Sequence, residues 1–367
     1  MRKIGRNVGG SIRVDWYSLL RVAAAIALAF GIATVIILIV AKNPQTAMRN
    51  FFFGAFSTRR NFSRAIEDMI PLVFTGLSLN VMHKSGLFSM SADSSFYLAG
   101  VLAAIIAIKL PAPPFIHQGI ILLTGILAGG LVSLIPVLCK KYTGAHELVV
   151  SLMMNYITFN AGYYLIRVTC IDTTNGSFSV PFLRTATLGK IFQGTNIHWG
   201  LAVMIIAVIV MYLVMDRSRF GRELRITGSN ENFARYAGIP VVSVVILSQF
   251  FGGALAGLGG AVTMIGIFSR FQWILPQNYV WDGILINLIA GTKPLFIPLS
   301  AFFISYIRVG ANVMSRTGDV DSELVSIIQG IIILLIASER FLYKIRKQGE
   351  EKEALRHRLA GEDGREQ

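Results

Sequence analysis

The chain has 367 residues, of which 54% are hydrophobic and only 15% charged, and its mean hydropathy is +0.61. A soluble protein carries roughly 25% charged residues, so that class is excluded. The net charge of +14 does not point to nucleic acid, because no basic stripe is interleaved with stacking aromatics.

Residues 22–41, 110–139, 148–166, 191–215 and 236–269 contain no Asp, Glu, Lys or Arg. A hydrocarbon core is crossed by about 20 apolar residues in helical form, so each of these runs reads as a membrane span. Shorter uncharged stretches at 69–82, 94–108, 283–292, 294–307 and 324–338 complete a set of ten. The expected fold class is an all-α polytopic membrane protein. Its ten helices fall near 17–41, 66–83, 93–109, 117–138, 145–167, 198–215, 240–268, 278–291, 295–313 and 322–340. The transmembrane domain is 17–340, preceded by a cytoplasmic segment at 1–16 and followed by a charged cytoplasmic tail at 341–367.

Arg2, Lys3, Arg6 and Arg13 flank the first run, which is too long for a signal-peptide core and is followed by no small-residue cleavage site. With the N-terminus inside, the predicted cytoplasmic segments hold 21 Lys and Arg and the external ones 9. That asymmetry places both termini in the cytoplasm of a multi-pass membrane protein. Lys42, Arg49, Arg59, Arg60 and Arg64 fall on the external side, where a short helix over 48–56 could lie on headgroups.

Between the sixth and seventh spans, residues 216–240 form a basic cytoplasmic loop. Ser229 and Asn230 suit a helix N-cap, Glu231 its first turn, and Gly238 a left-handed stop. Pro240 then opens the next span. The expected product is a helix of about two turns, marginal alone and in need of a docking partner.

Further along, Gly252, Gly253, Ala256, Gly257, Gly260 and Ala261 recur at small-xxx-small spacing, which lets helix backbones approach closely in a membrane. Pro71, Pro136, Pro276 and Pro298 suggest broken or kinked segments around a cavity. Asn80, Asn155, Asn160, Gln249, Asn287, Asn312 and Gln329 are the intramembrane amides, each needing a partner or a wet path. Asn155 and Asn287 are the preferred path-lining candidates. Glu147, Asp282 and Arg308 lie near predicted helix ends, where snorkelling to water is the ordinary expectation.

No phosphate-cradling Gly-x-x-x-x-Gly-Lys-Ser/Thr motif occurs, nor HExxH, nor GxSxG, nor metal spacing of Cys and His. Cys139 and Cys170 form no CxxC pair. A chain of buried carboxylates of the kind ion-coupled carriers use is also missing, which weighs against a secondary transporter. The chain therefore reads as a non-catalytic conduit without cofactor.

The loop resembles the cytoplasmic coupling loop of ABC-importer permeases of the branched-chain amino acid, simple-sugar and nucleoside superfamily. Gly221, Arg225, Gly228, Asn230, Ala234, Tyr236, Gly238 and Ile239 fit its pattern, while Ile226 and Phe233 replace alanines. Gly144-Ala-His-Glu-Leu-Val-Val-Ser-Leu-Met-Met-Asn-Tyr-Ile157 is similar to the permeases' fifth-span signature. Leu72 to Ser78, Phe250 to Ala261 and Ile327 to Ile331 match three others in order. After Gly86-Leu-Phe88 the chain departs from the pattern, with Asp93 and Ser95 standing where Glu and Gln are usual. The resemblance implies a type II importer-like bundle whose ATPase-coupling residues are Gly221, Arg222, Arg225, Gly228, Asn230, Ala234, Arg235, Tyr236 and Gly238, with Asp93, Asn155 and Asn287 on the translocation path. The implied partners are ABC ATPase subunits, a second permease subunit, an external solute-binding protein and membrane lipid. The implied solute is small and polar: a nucleoside first, then a simple sugar or a branched-chain amino acid.

Overall fold

The computed structural model describes residues 43–172, 179–192, 194–275 and 277–316, with isolated positions at 31, 34, 35, 37, 38 and 330. Apart from those isolated positions, the expected first and tenth spans, the N-terminal segment, the tail, Pro276, Gln329 and the 327–331 motif lie outside the described residues. The chain sorts into two compact units, Arg49–Thr317 and the terminal pair Met1–Met48 with Gly318–Gln367.

Eleven α-helices are described: α1 (Pro44–Ser57), α2 (Arg59–Lys84), α3 (Ser91–Lys109), α4 (Pro114–Thr143), α5 (Glu147–Thr169), α6 (Gly200–Tyr212), α7 (Arg219–Ser229), α8 (Glu231–Tyr236), α9 (Val241–Ile267), α10 (Tyr279–Ile289) and α11 (Ile297–Arg316). Among the described residues only two isolated antiparallel bridges interrupt the helical pattern, Ile171 with Ser179 and Lys190 with His198.

Among the described residues, six helical segments are long and apolar enough to cross a membrane: Arg59–Lys84, Ser91–Lys109, Pro114–Thr143, Gly200–Arg217, Val241–Ile267 and Pro294–Arg316. The expectation of ten is therefore met only in part. The helix at the expected fifth position, α5, has 23 residues but is not among the six. Ser151, Asn155, Asn160, Gly162 and three tyrosines dilute its apolar content. The expected span at 278–291 is the 11-residue α10, too short to cross alone.

Helix α2 begins at Arg59, seven residues earlier than the helix expected at 66–83. Thr58 caps it by accepting a bond from the Asn61 amide at 3.2 Å. Its charged first turns are held by tertiary partners that sequence spacing does not reveal. Pro71 and Pro136 lie inside continuous helices rather than at breaks. The first turns of α2 carry Ala65, which packs with Ala55 of α1 and Val309 of α11, and Ser305 donates to the Ala65 carbonyl at 2.6 Å.

Helix α9 forms the centre, packed on α4, α3 and α2. Its glycines decide how close those neighbours come. A Cβ on Gly257 would strike the carbonyl oxygen of Gly125 and sit 2.9 Å from the Cα of Gly129, so α4 and α9 touch backbone to backbone. Ser133 of α4 bonds the Gln249 carbonyl at 2.8 Å, and Ser95 of α3 bonds the Gly129 carbonyl at 2.8 Å. These hydroxyls satisfy carbonyl lone pairs where no water is at hand.

Outside the spans, His198 is fully buried just before α6, its ring resting on Gly200 and Gly266. Its Nδ1 accepts from the Gly200 amide at 3.0 Å. Burial pushes the imidazole down to about 4, so it is neutral at physiological pH.

Candidate functional site

Two features lie apart in this framework: a cavity among α3, α5 and α10, and a two-helix elbow between α6 and α9.

The cavity measures about 410 Å³, within the range of small-molecule sites. Asp93 and Tyr97 come from α3, Asn155 and Tyr156 from α5, and Asn278 and Trp281 from the start of α10. Helix α3 can begin here because Asn155 holds its first turn. The Asn155 Oδ1 accepts from the Ser94 amide at 3.0 Å, and its Nδ2 donates to the Met90 carbonyl at 3.3 Å. Ser151, one turn earlier, accepts from the Met90 amide at 3.0 Å. Two expected path residues, Asp93 and Asn155, thus share one cavity, with the Asn155 amide engaged on both sides.

Asn287 is elsewhere. Its Oδ1 accepts from Asn80 Nδ2 at 2.7 Å, and the same Nδ2 approaches the Thr292 carbonyl at 2.9 Å. These bonds join α2 to α10 through a buried amide pair. Asp282 and Arg308, expected to snorkel separately, instead meet at 2.6 Å across α10 and α11. Glu147 pairs with Lys140 at 2.9 Å. The cavity's aromatic residues, Phe96, Tyr97, Tyr156, Phe159 and Trp281, are not among the sequence candidates, since aromatics in an apolar run carry no distinguishing signal.

The elbow is built from stronger local signals. Helix α6 ends in a π-helical turn, Leu213–Arg217. Ser218 then caps α7 through the Gly221 amide at 3.2 Å. This 11-residue amphipathic helix is an addition to the expected loop; Ser218 and the buried Gly221, Leu224 and Thr227 spaced along its inner face are its signature in the sequence. Asn230 caps α8 by accepting from the Phe233 amide at 3.0 Å, and Gly238 turns left-handed at φ 75°, both at the expected positions. Helix α8 is one and a half turns long, beginning at Glu231.

Each expected coupling residue has a definable place. Gly221 packs on the Met215 carbonyl, and Gly228 packs on the Lys84 carbonyl at the end of α2. Arg225 pairs with Asp216 at 3.0 Å, and Arg235 with Glu231 at 2.6 Å. Arg222 is exposed beside the Arg217 carbonyl at 3.5 Å. Ala234 is fully buried, whereas Tyr236 is 93% exposed and Phe233 60%. Phe220 meets Phe251 edge-on at 5.6 Å, fastening α7 to α9. Beneath α7 and α8 a cleft of about 370 Å³ opens onto Lys140 and Lys141 of α4.

An all-helical bundle of span-length apolar helices, with a polar-and-aromatic cavity and an amphipathic elbow, defines a multi-pass membrane transport component. Residues 61–337 match the family described as branched-chain amino acid transport system / permease component, and the chain belongs to it. It is similar to the guanosine ABC transporter permease protein NupP of Bacillus subtilis (strain 168), 29% identical over 333 residues, covering 89% of this chain and 96% of that protein. The nucleoside ABC transporter permease protein NupB of Lactococcus lactis subsp. cremoris is 26% identical, with 85% and 89% covered. The glucose ABC transporter permease protein TsgB13 of Haloferax volcanii is 27% identical, with 89% and 88% covered. The chain is accordingly the non-catalytic permease component of an ABC importer, in which ATP hydrolysis belongs to a separate subunit.

Proposed function

We propose that this chain conducts a nucleoside across the membrane as one of two permease subunits, driven by ATPase domains and supplied by an external solute-binding protein. In this reading the complete bundle has ten spans with both termini cytoplasmic, in a type II importer-like arrangement. The solute passes by the cavity that holds Asp93 and Asn155. The elbow at 216–240 receives the ATPase, which biases the bundle between outward- and inward-facing states.

The observation that carries this reading is the construction of the elbow. A helix of six residues does not persist alone. Here it is capped by Asn230, seated through buried Ala234, and tipped with the exposed rings of Phe233 and Tyr236. Exposed aromatics on a rigid support are what a protein partner grips most strongly. The carbohydrate specificity in the name of the Haloferax relative supports a simple sugar as the second reading for the solute.

The test uses cells expressing the whole importer. Asn230→Ala removes a cap that contributes roughly 0.5–2 kcal/mol to its helix, and Arg235→Ala removes the adjoining pair. The double variant should reach the membrane in normal amount yet lose nucleoside uptake by about tenfold or more. Unchanged uptake in that variant would refute the coupling role.

A further inference from the structure

Resting on the nucleoside reading, we propose that the cavity among α3, α5 and α10 is a nucleobase pocket, in which the Asp93 carboxylate accepts N–H bonds from the base edge while aromatic side chains cover its faces. The cavity of about 410 Å³ has one acidic side chain on its wall, Asp93. Among the described residues no hydrogen bond or ion pair satisfies that carboxylate, although it is partly buried at the start of α3.

Of the neighbouring amides, Asn278 alone has no side-chain hydrogen bond among the described residues, and the others are engaged. Asn155 is committed at both ends to Ser94 and Met90. Asn160 donates to the Tyr156 carbonyl at 2.8 Å, and Gln277 to the Leu275 carbonyl at 3.0 Å. Besides Asp93 and Asn278, the wall carries the Tyr97 hydroxyl, which is buried without a partner. An unsatisfied buried hydroxyl is destabilising until a ligand or water meets it.

These groups suit a base better than a sugar. A pentose presents several hydroxyls, each a donor and an acceptor, and needs a matching set of free polar groups. A base instead presents two flat apolar faces and one polar edge. Phe96, Tyr97, Tyr156, Phe159 and Trp281 supply the faces, and bases of any identity stack on such rings. A carboxylate suits an edge that offers an N–H beside an amino group, because it accepts both at once. Guanine offers that edge.

The experiment measures initial uptake of labelled guanosine and of labelled purine riboside in cells carrying the whole importer. Purine riboside has the same sugar but neither the ring N–H nor the amino group. Each rate is divided by the wild-type rate for the same solute, so selectivity of the binding protein cancels, and each is normalised to the amount of permease in the membrane. Asp93→Asn should lower relative guanosine uptake by about tenfold and leave purine riboside within about twofold. Asp93→Glu, which restores a carboxylate, should recover most of the guanosine rate. An equal loss for both solutes would overturn the proposal in favour of a sugar or structural contact, and no loss for either would remove the cavity from base recognition. Wild-type cells that import neither nucleoside would overturn the underlying reading, and with it this one.

Discussion

Helices α9 and α5 are similar in length and opposite in character. In α9, 17 of 27 residues are buried, and its small side chains let α2, α3 and α4 close in around it. In α5 only 5 of 23 are buried, and they form a single stripe: Glu147, Ser151, Thr158, Gly162 and Ile166. Its outer face carries Val149, Met153, Tyr156, Ile157, Tyr164 and Val168, all more than half exposed. Rigidity is therefore concentrated at the centre. The central helix is fixed by main-chain contact, whereas the helix bordering the cavity is held along one stripe, by polar bonds to the start of α3 and by Gly162 and Phe159 against Tyr97. A wall of that kind can shift without disturbing the core.

The contrast can be broken most severely at its centre. Gly257→Leu would drive a side chain into Gly125 and Gly129, and overpacking of this sort costs about 1–3 kcal/mol and occasionally more. The expected outcome is little or no permease extracted in a folded state, judged by size-exclusion profile in mild detergent. Ile157→Ala, on the exposed face of α5, should stay within about 0.5 kcal/mol of the parent in the same preparation. Equal tolerance at the two positions would erase the distinction.

A smaller effect is expected at the amide pair. Asn80→Ala leaves the Asn287 oxygen and the Thr292 carbonyl without their donor. The variant should lose about 1–3 kcal/mol in unfolding measurements. A cycle with Asn287→Ala should show the two losses to be strongly non-additive; simple addition would mean the pair does not couple α2 to α10.

The smallest effect sharpens the comparison outside the spans. His198 is held near 4 in the folded protein, below the ordinary histidine value of about 6.5. Its contribution is therefore fully present above pH 6.5 and is lost as pH falls toward 4. Roughly 1 kcal/mol should disappear between pH 7 and 5.5. Melting midpoints across that interval, in the parent and in His198→Asn, would show it: the parent's slope should exceed the variant's.

Sequence alone makes the spans α4, α6 and α9 visible, because the long uncharged runs 110–139, 191–215 and 236–269 leave few alternatives in a membrane, while α2, α3 and α11 rest on the shorter runs 69–82, 94–108 and 294–307. It also makes visible the Asn230 cap and the Gly238 stop, which are local features with local signals. What it hides is decided by tertiary contact. The early start of α2 at Arg59 is masked by charges that the folded chain accommodates. The pairing of Asp282 with Arg308 joins residues 26 positions apart on different helices, so each looks like a lone end-of-helix charge. Helix α7 is hard to read because its apolar face is only three or four residues wide within a basic loop. The cavity's rings are unreadable for a different reason: in an apolar run an aromatic facing lipid and one facing a ligand are written identically.

The contact between α7 and the end of α2 has a mechanical consequence. Gly228 places nothing between itself and the peptide oxygen of Lys84, so a load arriving at the elbow meets the tip of a 26-residue rod with no rotatable arm to absorb it. Under the proposed coupling, displacement there would be conveyed stiffly along the axis of α2. Any larger residue at 228 would collide with that oxygen and force the two helices apart, loosening the linkage.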